Sequence, residues 1–265
     1  MNKGFVDSIK AFSMDWFRLD GKVALITGGN KGLGLGYAVA FAKAGANVFV
    51  THHAHSADDA RMLVESEGVK FGAIQGDLSK PGDRKAALDA CVKQFGTVDI
   101  LVNNAATNHF RDFLEFPDEK FSEVVELNLK VVYYMAHDAA KIMVKQGSGK
   151  IINIGSALTY TADAKCPSYV TAKHGVLGIT KSFANELGRY NVQCNCICPG
   201  FFETDVNAAV SSDKAFYDHI TGRISAGRWG NPGDLMGAAV FLASRASDYL
   251  NGADINVDGG FATVI

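Results

Sequence analysis

KVALITGGNKGLGLGYAVAFAKAG, residues 22–45, sets three signals side by side. The apolar run 22–27 reads as a buried strand, and YAVAFAKAG continues as a helix. Between them lie Gly28, Gly32 and Gly34, with Asn30, Lys31 and Leu33 filling the turn. A glycine-rich turn at that junction lets the backbone approach a pyrophosphate and aims helix N–H groups at it. Glycines alone would mean no more than a turn. Flanked by a strand and a helix, they point to nucleotide binding.

The same alternation continues outward. Residues 47–51, 69–75, 98–102, 150–154, 191–197 and 253–258 read as strands. Residues 57–67, 82–95, 168–188 and 232–244 read as helices, and a long helical pattern runs from Pro117 towards 146 with Asn128 inside it. Short strands alternating with helices predict an α/β chain, a single-domain Rossmann fold with a doubly wound parallel sheet of about seven strands. Residues 1–20 form an N-terminal extension, and 21–265 form one domain with no repeat, low-complexity tract or linker. The mixed, polar segment 201–226 is long enough to be a lid over a site.

The strand ends carry the polar residues. In a dinucleotide-binding unit an acid at the end of the second strand holds the adenosine ribose. Here His52 and His53 take its place. With His55 they also suggest a metal, but no carboxylate or thiol completes a ligand set, so no metal site is expected. Asp77, followed by Leu78, either accepts from an adenine amino group or caps the next helix. Asn103 and Asn104, before Ala105 and Ala106, read first as turn-fixing side chains. Asn is a mediocre helix former, so Asn128 implies a bend or a polar task.

Residues 155–173 read GSALTYTADAKCPSYVTAK. Tyr169 and Lys173, four apart on a predicted helix, share one face. A phenol has a pKa of about 10, and a cation beside it favours its ionised form. Tyr169 is thus a candidate general acid/base, with Ser156 able to hydrogen-bond the same reacting oxygen. Alone, the pair reads equally as a solvated helix surface.

Composition bounds the rest. With 48% hydrophobic and 20% charged residues and a net charge of −2, the chain of 265 residues resembles an ordinary soluble enzyme and shows no nucleic-acid or membrane signature. No apolar run approaches the roughly 20 residues of a membrane span. Cys91, Cys166, Cys194, Cys196 and Cys198 are odd in number in a long chain, which argues for reduced thiols and a cytoplasmic home. The last three alternate along one strand and read as small, buried, inert residues.

In this order and spacing, Thr27-Gly28-x-x-x-Gly32-x-Gly34, Asp77, Asn103-Asn104-Ala105, Asn128, Ser156, Tyr169-x-x-x-Lys173, Pro199-Gly200 with Thr204, and Asp258-Gly259-Gly260 resemble the short-chain dehydrogenase/reductase family over nearly the whole chain. Ala106 departs from the family's usual glycine. The resemblance implies that Tyr169 exchanges a proton with the substrate oxygen and Ser156 orients that oxygen. It implies that Lys173 favours the phenolate and binds the nicotinamide ribose, and that Asn128 holds a water linking Lys173 to solvent. It adds Pro199, Gly200 and Thr204 to the cofactor site, and implies a homotetramer paired through the 110–145 and 168–188 helices. The C-terminal third, with Trp229 and Asp234-Leu-Met-Gly, is similar to the sugar-acid branch, which includes gluconate 5-dehydrogenase and 2-dehydro-3-deoxy-D-gluconate 5-dehydrogenase.

Two choices stay open in the sequence. Lys31 with His52 and His53 would suit the 2′-phosphate of NADP, though the branch includes NAD users and Lys31 also reads as a solvated turn lysine. Lys165, His109, Arg111 and Arg223 are the cations and donors available to a substrate carboxylate, or else surface charge. Together they favour a sugar acid over an acyl thioester or a steroid, with a 3-oxoacyl-thioester or general polyol/carbonyl reductase as the enzymatic alternative. A protein that senses dinucleotides without turnover is the non-enzymatic alternative, which an intact Ser-Tyr-Lys-Asn set disfavours.

Overall fold

Every residue of β1 (Val23–Ile26) is buried, as an apolar run without alternation requires of a strand covered on both faces. Its side chains divide between two cores. Ala24 and Ile26 join Phe41, Val48 and Leu235 on one face of the sheet. Val23 and Leu25 join Phe49, Leu101, Met135 and Ile151 on the other. In the computed structural model, which describes residues 3–204 and 212–263, seven parallel strands run in the order β3-β2-β1-β4-β5-β6-β7.

The remaining strands are β2 (Asn47–His52), β3 (Phe71–Gln75), β4 (Ile100–Asn103), β5 (Gly149–Ile154), β6 (Val192–Pro199) and β7 (Asp254–Val257). The helices are α1 (Lys3–Lys10), α2 (Gly32–Lys43), α3 (Asp58–Glu65), α4 (Pro81–Phe95), α5 (Asp118–Val125), α6 (Val131–Gln146), α7 (Pro167–Leu187), α8 (Lys214–Thr221) and α9 (Gly233–Ala243). The chain turns outward from β1 in both directions, so the switch point of the sheet lies between β1 and β4. Ligands of such sheets bind in the crevice at that point, outside the carboxyl ends of the strands.

The single long helix expected from Pro117 to 146 is instead two helices joined by a π turn over Glu126–Lys130. Asn128 sits in this turn, fully buried, with both ends of its amide bonded to Thr107. A polar tether of that kind explains the extra residue per turn. The N-terminal extension docks rather than trails. The Leu19 N–H donates to Ala44 O at 2.8 Å, and the Arg245 guanidinium lies 4.4 Å above the Trp16 ring. Within 201–226, α8 is capped by Asp213, whose carboxylate accepts from the N–H groups of Ala215 and Phe216. The lid reading also extends over residues 205–211, which lie outside the described residues.

Candidate active site

The glycine turn follows β1 directly, and two of its residues need backbone that side chains resist: Gly28 has φ 63° and Gly32 φ 54°. Gly34 is required by space. A Cβ there would sit 2.6 Å from Asn104 Nδ2. Asn104 staples the end of β4 to the turn, donating to Thr27 O at 2.9 Å and Gly28 O at 3.1 Å. Thr27 Oγ1 in return accepts the N–H groups of Asn104 and Ala105, both at 2.9 Å. Among the described residues no side chain caps the N-terminus of α2, whose N-cap is Lys31. The first N–H groups and the positive end of that helix dipole therefore face the crevice, and a pyrophosphate fits there. Leu33 belongs to the same first helical turn.

The end of β2 folds back onto this turn. Asn30 Nδ2 donates to His55 O and Ser56 O, both at 3.1 Å. His53 and Lys31 are exposed, and His52 is half-buried with Nδ1 unpartnered among the described residues. Asp77 accepts from the Ser79 N–H at 3.0 Å and hydroxyl at 2.7 Å. Those Ser79 donors, aided by the Lys80 ammonium 3.7 Å away, hold its carboxyl below the usual carboxylate range. The helix that follows takes Lys80 as its N-cap with no side-chain cap bond, so Asp77 fixes the turn before α4 rather than capping the helix. Leu78 is buried and its carbonyl accepts from Arg84, while Ala106 is exposed. Gly200 is forced by Asp258, whose Cα lies 2.7 Å from where a Cβ would stand, with Pro199 buried and Thr204 half-buried beside it.

Ser156 leaves the end of β5 and opens a short 3₁₀ turn. Its Oγ accepts the Leu158 N–H at 3.1 Å, and its own N–H donates to Thr159 Oγ1 at 3.0 Å. α7 starts with Pro167, suited to a first turn, and presents Tyr169 and Lys173. Lys173 is 3% exposed; its Nζ donates to Ile154 O at 2.7 Å and stands 5.4 Å from the Tyr169 ring centroid. That one bond ties the lysine to the strand that delivers Ser156. The Asn128 tether is to Thr107, in the loop after β4, with the Thr107 N–H 2.9 Å from Oδ1.

The substrate candidates divide. Arg111 and Lys165 meet across two loops, the Arg111 N–H donating to Lys165 O at 2.8 Å. Each has an acidic neighbour: Glu115 at 3.5 Å from Arg111 and Asp112 at 3.4 Å from Lys165. Lys165 also holds φ 67°, a left-handed backbone unusual for a side-chain-bearing residue. His109 meets Phe116 edge to face at 5.4 Å. Arg223 is exposed, its guanidinium 4.6 Å above Phe261. Phe261 packs with Ile220, Ile224, Trp229 and Ala157, the residue after Ser156.

Thr27 and Trp229 stand in the sequence only as parts of motifs, with no role of their own. Phe201 and Tyr217 carry no signal there; in the structure Tyr217 stacks on Trp229 at 4.9 Å and Phe201 packs on the same ring. The link from Tyr160 to Cys198 and Asp254 is likewise without a sequence signal. Burial pushes the thiols of Cys91 and Cys194 up to about 12 and that of Cys166 up to about 11, as inert residues require. Cys198 differs. Its sulfur, 3.7 Å from Cys196 Sγ, is pulled down first by that thiol's hydrogen bond, while Cys196 is pushed up.

A doubly wound sheet with an uncapped helix at its switch point, and a lysine buried between a tyrosine's helix and a serine's strand, define a dinucleotide-dependent oxidoreductase. The chain belongs to the short-chain dehydrogenase/reductase family. The family model described as enoyl-(acyl carrier protein) reductase matches residues 28–262. The uncharacterized oxidoreductase YgcW of Escherichia coli is 43% identical over 97% of this chain and 98% of its own. The 2-dehydro-3-deoxy-D-gluconate 5-dehydrogenase of Bacillus subtilis is 43% identical over 93% of this chain and 97% of its own. Among solved structures, a gluconate 5-dehydrogenase from Burkholderia cenocepacia in complex with NADP and tartrate is 37% identical, with a TM-score of 0.88 over 95% of this chain and 99% of that one. The chain is accordingly an NAD(P)-dependent enzyme acting on a secondary alcohol.

Proposed function

We propose that the enzyme interconverts a secondary alcohol and a ketone on a sugar acid with NADP, as a gluconate 5-dehydrogenase or a 2-dehydro-3-deoxy-D-gluconate 5-dehydrogenase does. The observation that carries the mechanism is the buried Lys173, bonded to Ile154 O at 2.7 Å beneath Tyr169 and at the root of Ser156. The relatives named above supply the substrate class, and the NADP and tartrate of the Burkholderia structure agree with it.

When bound, the nicotinamide gives or accepts the hydride. The protein's own groups do the rest. Tyr169 takes the hydroxyl proton in oxidation and returns it in reduction. Ser156 donates to the same oxygen and steadies the charge that develops on it. Lys173 binds the nicotinamide ribose and places positive charge near the phenol. Asn128 holds a water that passes the proton between Lys173 and solvent.

For the cofactor, the α2 N-terminus and residues 28–34 would hold the pyrophosphate, and Lys31, His52 and His53 would meet the 2′-phosphate. Asp77, Leu78, Asn104, Ala105, Ala106, Pro199, Gly200 and Thr204 complete the walls. Lys165, Arg111, His109 and Arg223 are the groups available to the substrate carboxylate. We take 21–265 as one catalytic unit, with 201–226 closing over the site. We take the assembly as a cytoplasmic homotetramer joined through α6 and α7. Tyr133 and Tyr134 are there 41% and 37% exposed, beside a groove of about 320 Å³ lined by Leu129, Gly175 and Ile179.

A substrate panel tests the reading: gluconate, 2-dehydro-3-deoxygluconate and their 5-keto forms, uncharged polyols, and acetoacetyl thioesters, each with NADP(H) and NAD(H). Highest kcat/KM is expected on a sugar acid with NADP(H), with Lys165→Ala raising KM. Best turnover on an uncharged polyol, indifferent to Lys165→Ala, would leave a general carbonyl reductase.

A further inference from the structure

The turn carrying Ser156 is fixed at its start and at its end by different elements. At the start, the Gly155 N–H donates to Ile197 O at 2.7 Å, continuing the pairing of β5 with β6. Inside it, Ser156 and Thr159 bond reciprocally, backbone to side chain. At the end stands Tyr160. Its hydroxyl donates to Asp254 Oδ2, on the first residue of β7, and lies 3.5 Å from Cys198 Sγ on β6. The turn is therefore bolted across three strands. Without the last bond, the segment from Tyr160 to Pro167 is held chiefly by its own turns, by the Arg111 and Lys165 backbone contact, and by the Thr161 hydroxyl on Ala157 O.

We propose that Tyr160 and Asp254 are positioning residues for Ser156, holding the serine turn against β6 and β7 so that Oγ meets the reacting oxygen. The inference rests on the reading of Ser156 as a catalytic residue. Neither side chain touches the substrate in this account; both act through the turn. A phenol–carboxylate bond suits the task, because it is charge-assisted and directional, and a rigid aromatic ring carries the constraint over its whole length.

The test measures kcat, KM for the sugar acid, the NADPH dissociation constant and the melting temperature for Tyr160→Phe, Asp254→Asn, Asp254→Ala and Ser156→Ala, and for Tyr160→Phe combined with Ser156→Ala. A misplacement of about 1 Å costs up to ~10²-fold in rate. Tyr160→Phe and Asp254→Ala should therefore lose roughly ten-fold in kcat, with NADPH affinity unchanged. Asp254→Asn keeps an acceptor oxygen for the phenol and should stay within about three-fold of wild type. The decisive comparison is the double variant. If Tyr160 acts through Ser156, removing its hydroxyl costs nothing further once Ser156 is alanine. Three results would overturn the proposal: a Tyr160→Phe rate within two-fold of wild type, the same ten-fold loss in the Ser156→Ala background, or a loss matched by weaker NADPH binding and a lower melting temperature. Full activity of Ser156→Ala would instead remove the catalytic reading on which the inference stands.

Discussion

Gly155→Ala adds one methyl group at the root of the serine turn, and its consequence follows from three distances. The new Cβ would stand 2.7 Å from Cys198 Sγ, 2.9 Å from Cys196 Sγ and 2.9 Å from Thr159 Oγ1. None of these atoms is the free end of a flexible chain. Cys196 and Cys198 are fully buried in β6, which is paired on both sides, and Thr159 Oγ1 is held by the Ser156 N–H. The methyl therefore overpacks the site, at a cost of about 1–3 kcal/mol. In a chain of this size 1 kcal/mol moves Tm by roughly 2–4 °C, so a fall of about 2–12 °C is expected. The assay is thermal unfolding at fixed protein concentration, run as a cycle with Cys196→Ala and Cys198→Ala. Truncating both sulfurs removes two of the three close approaches, so most of the Gly155→Ala penalty should vanish in that background. A penalty unchanged without the sulfurs, or no penalty at all, would refute the packing argument.

Asp77 is held below the ordinary carboxylate range by Ser79, so its contribution to stability is complete above about pH 4 and fades as pH falls through the lowered folded value. Asp77→Asn lacks that titration, and the stability gap between wild type and variant should narrow in acid urea titrations. Lys165→Gly frees a residue at φ 67° and should melt no lower than wild type, whereas Lys165→Val should be destabilised by more than about 1 kcal/mol. Lys31→Ala should weaken NADPH binding by about ten-fold and leave NADH binding unchanged, read by quenching of protein fluorescence. Light scattering at micromolar concentration should give the mass of four chains of 28.3 kDa; a stable monomer would contradict the assembly.

The parts of this molecule with strong local signals were legible in the chain. β1 announces itself as an apolar run, β2, β5 and β6 are short strand patterns between helices, and the glycine turn identifies the switch point. Tyr169 and Lys173 declare a shared face because helical spacing alone puts them there. What the sequence could not show depends on contacts between distant segments. The break at Asn128 requires Thr107, twenty-one positions earlier. The acidic partners of Arg111 and Lys165 are visible only when two loops meet. The bond from the Ser79 hydroxyl to Asp77 fixes the turn before α4, a contact that neither reading of Asp77 names. Alternation predicts that Cys196 and Cys198 share a face, but not that Gly155 leaves both sulfurs their room. Tyr160 offers no local signal, since its partner on β7 lies ninety-four positions away.

The central claim is that Tyr169 moves the proton in a site built to hold NADP and a sugar acid. Tyr169→Phe keeps the ring over Lys173 and removes only the hydroxyl. The measurement is the steady-state rate of NADPH oxidation with a 5-keto sugar acid, alongside the NADPH dissociation constant of the same preparation. The account predicts turnover lower by about 10²–10⁴-fold, with cofactor affinity within a few-fold of wild type. A Phe variant that binds NADPH and retains most of the wild-type rate would contradict it.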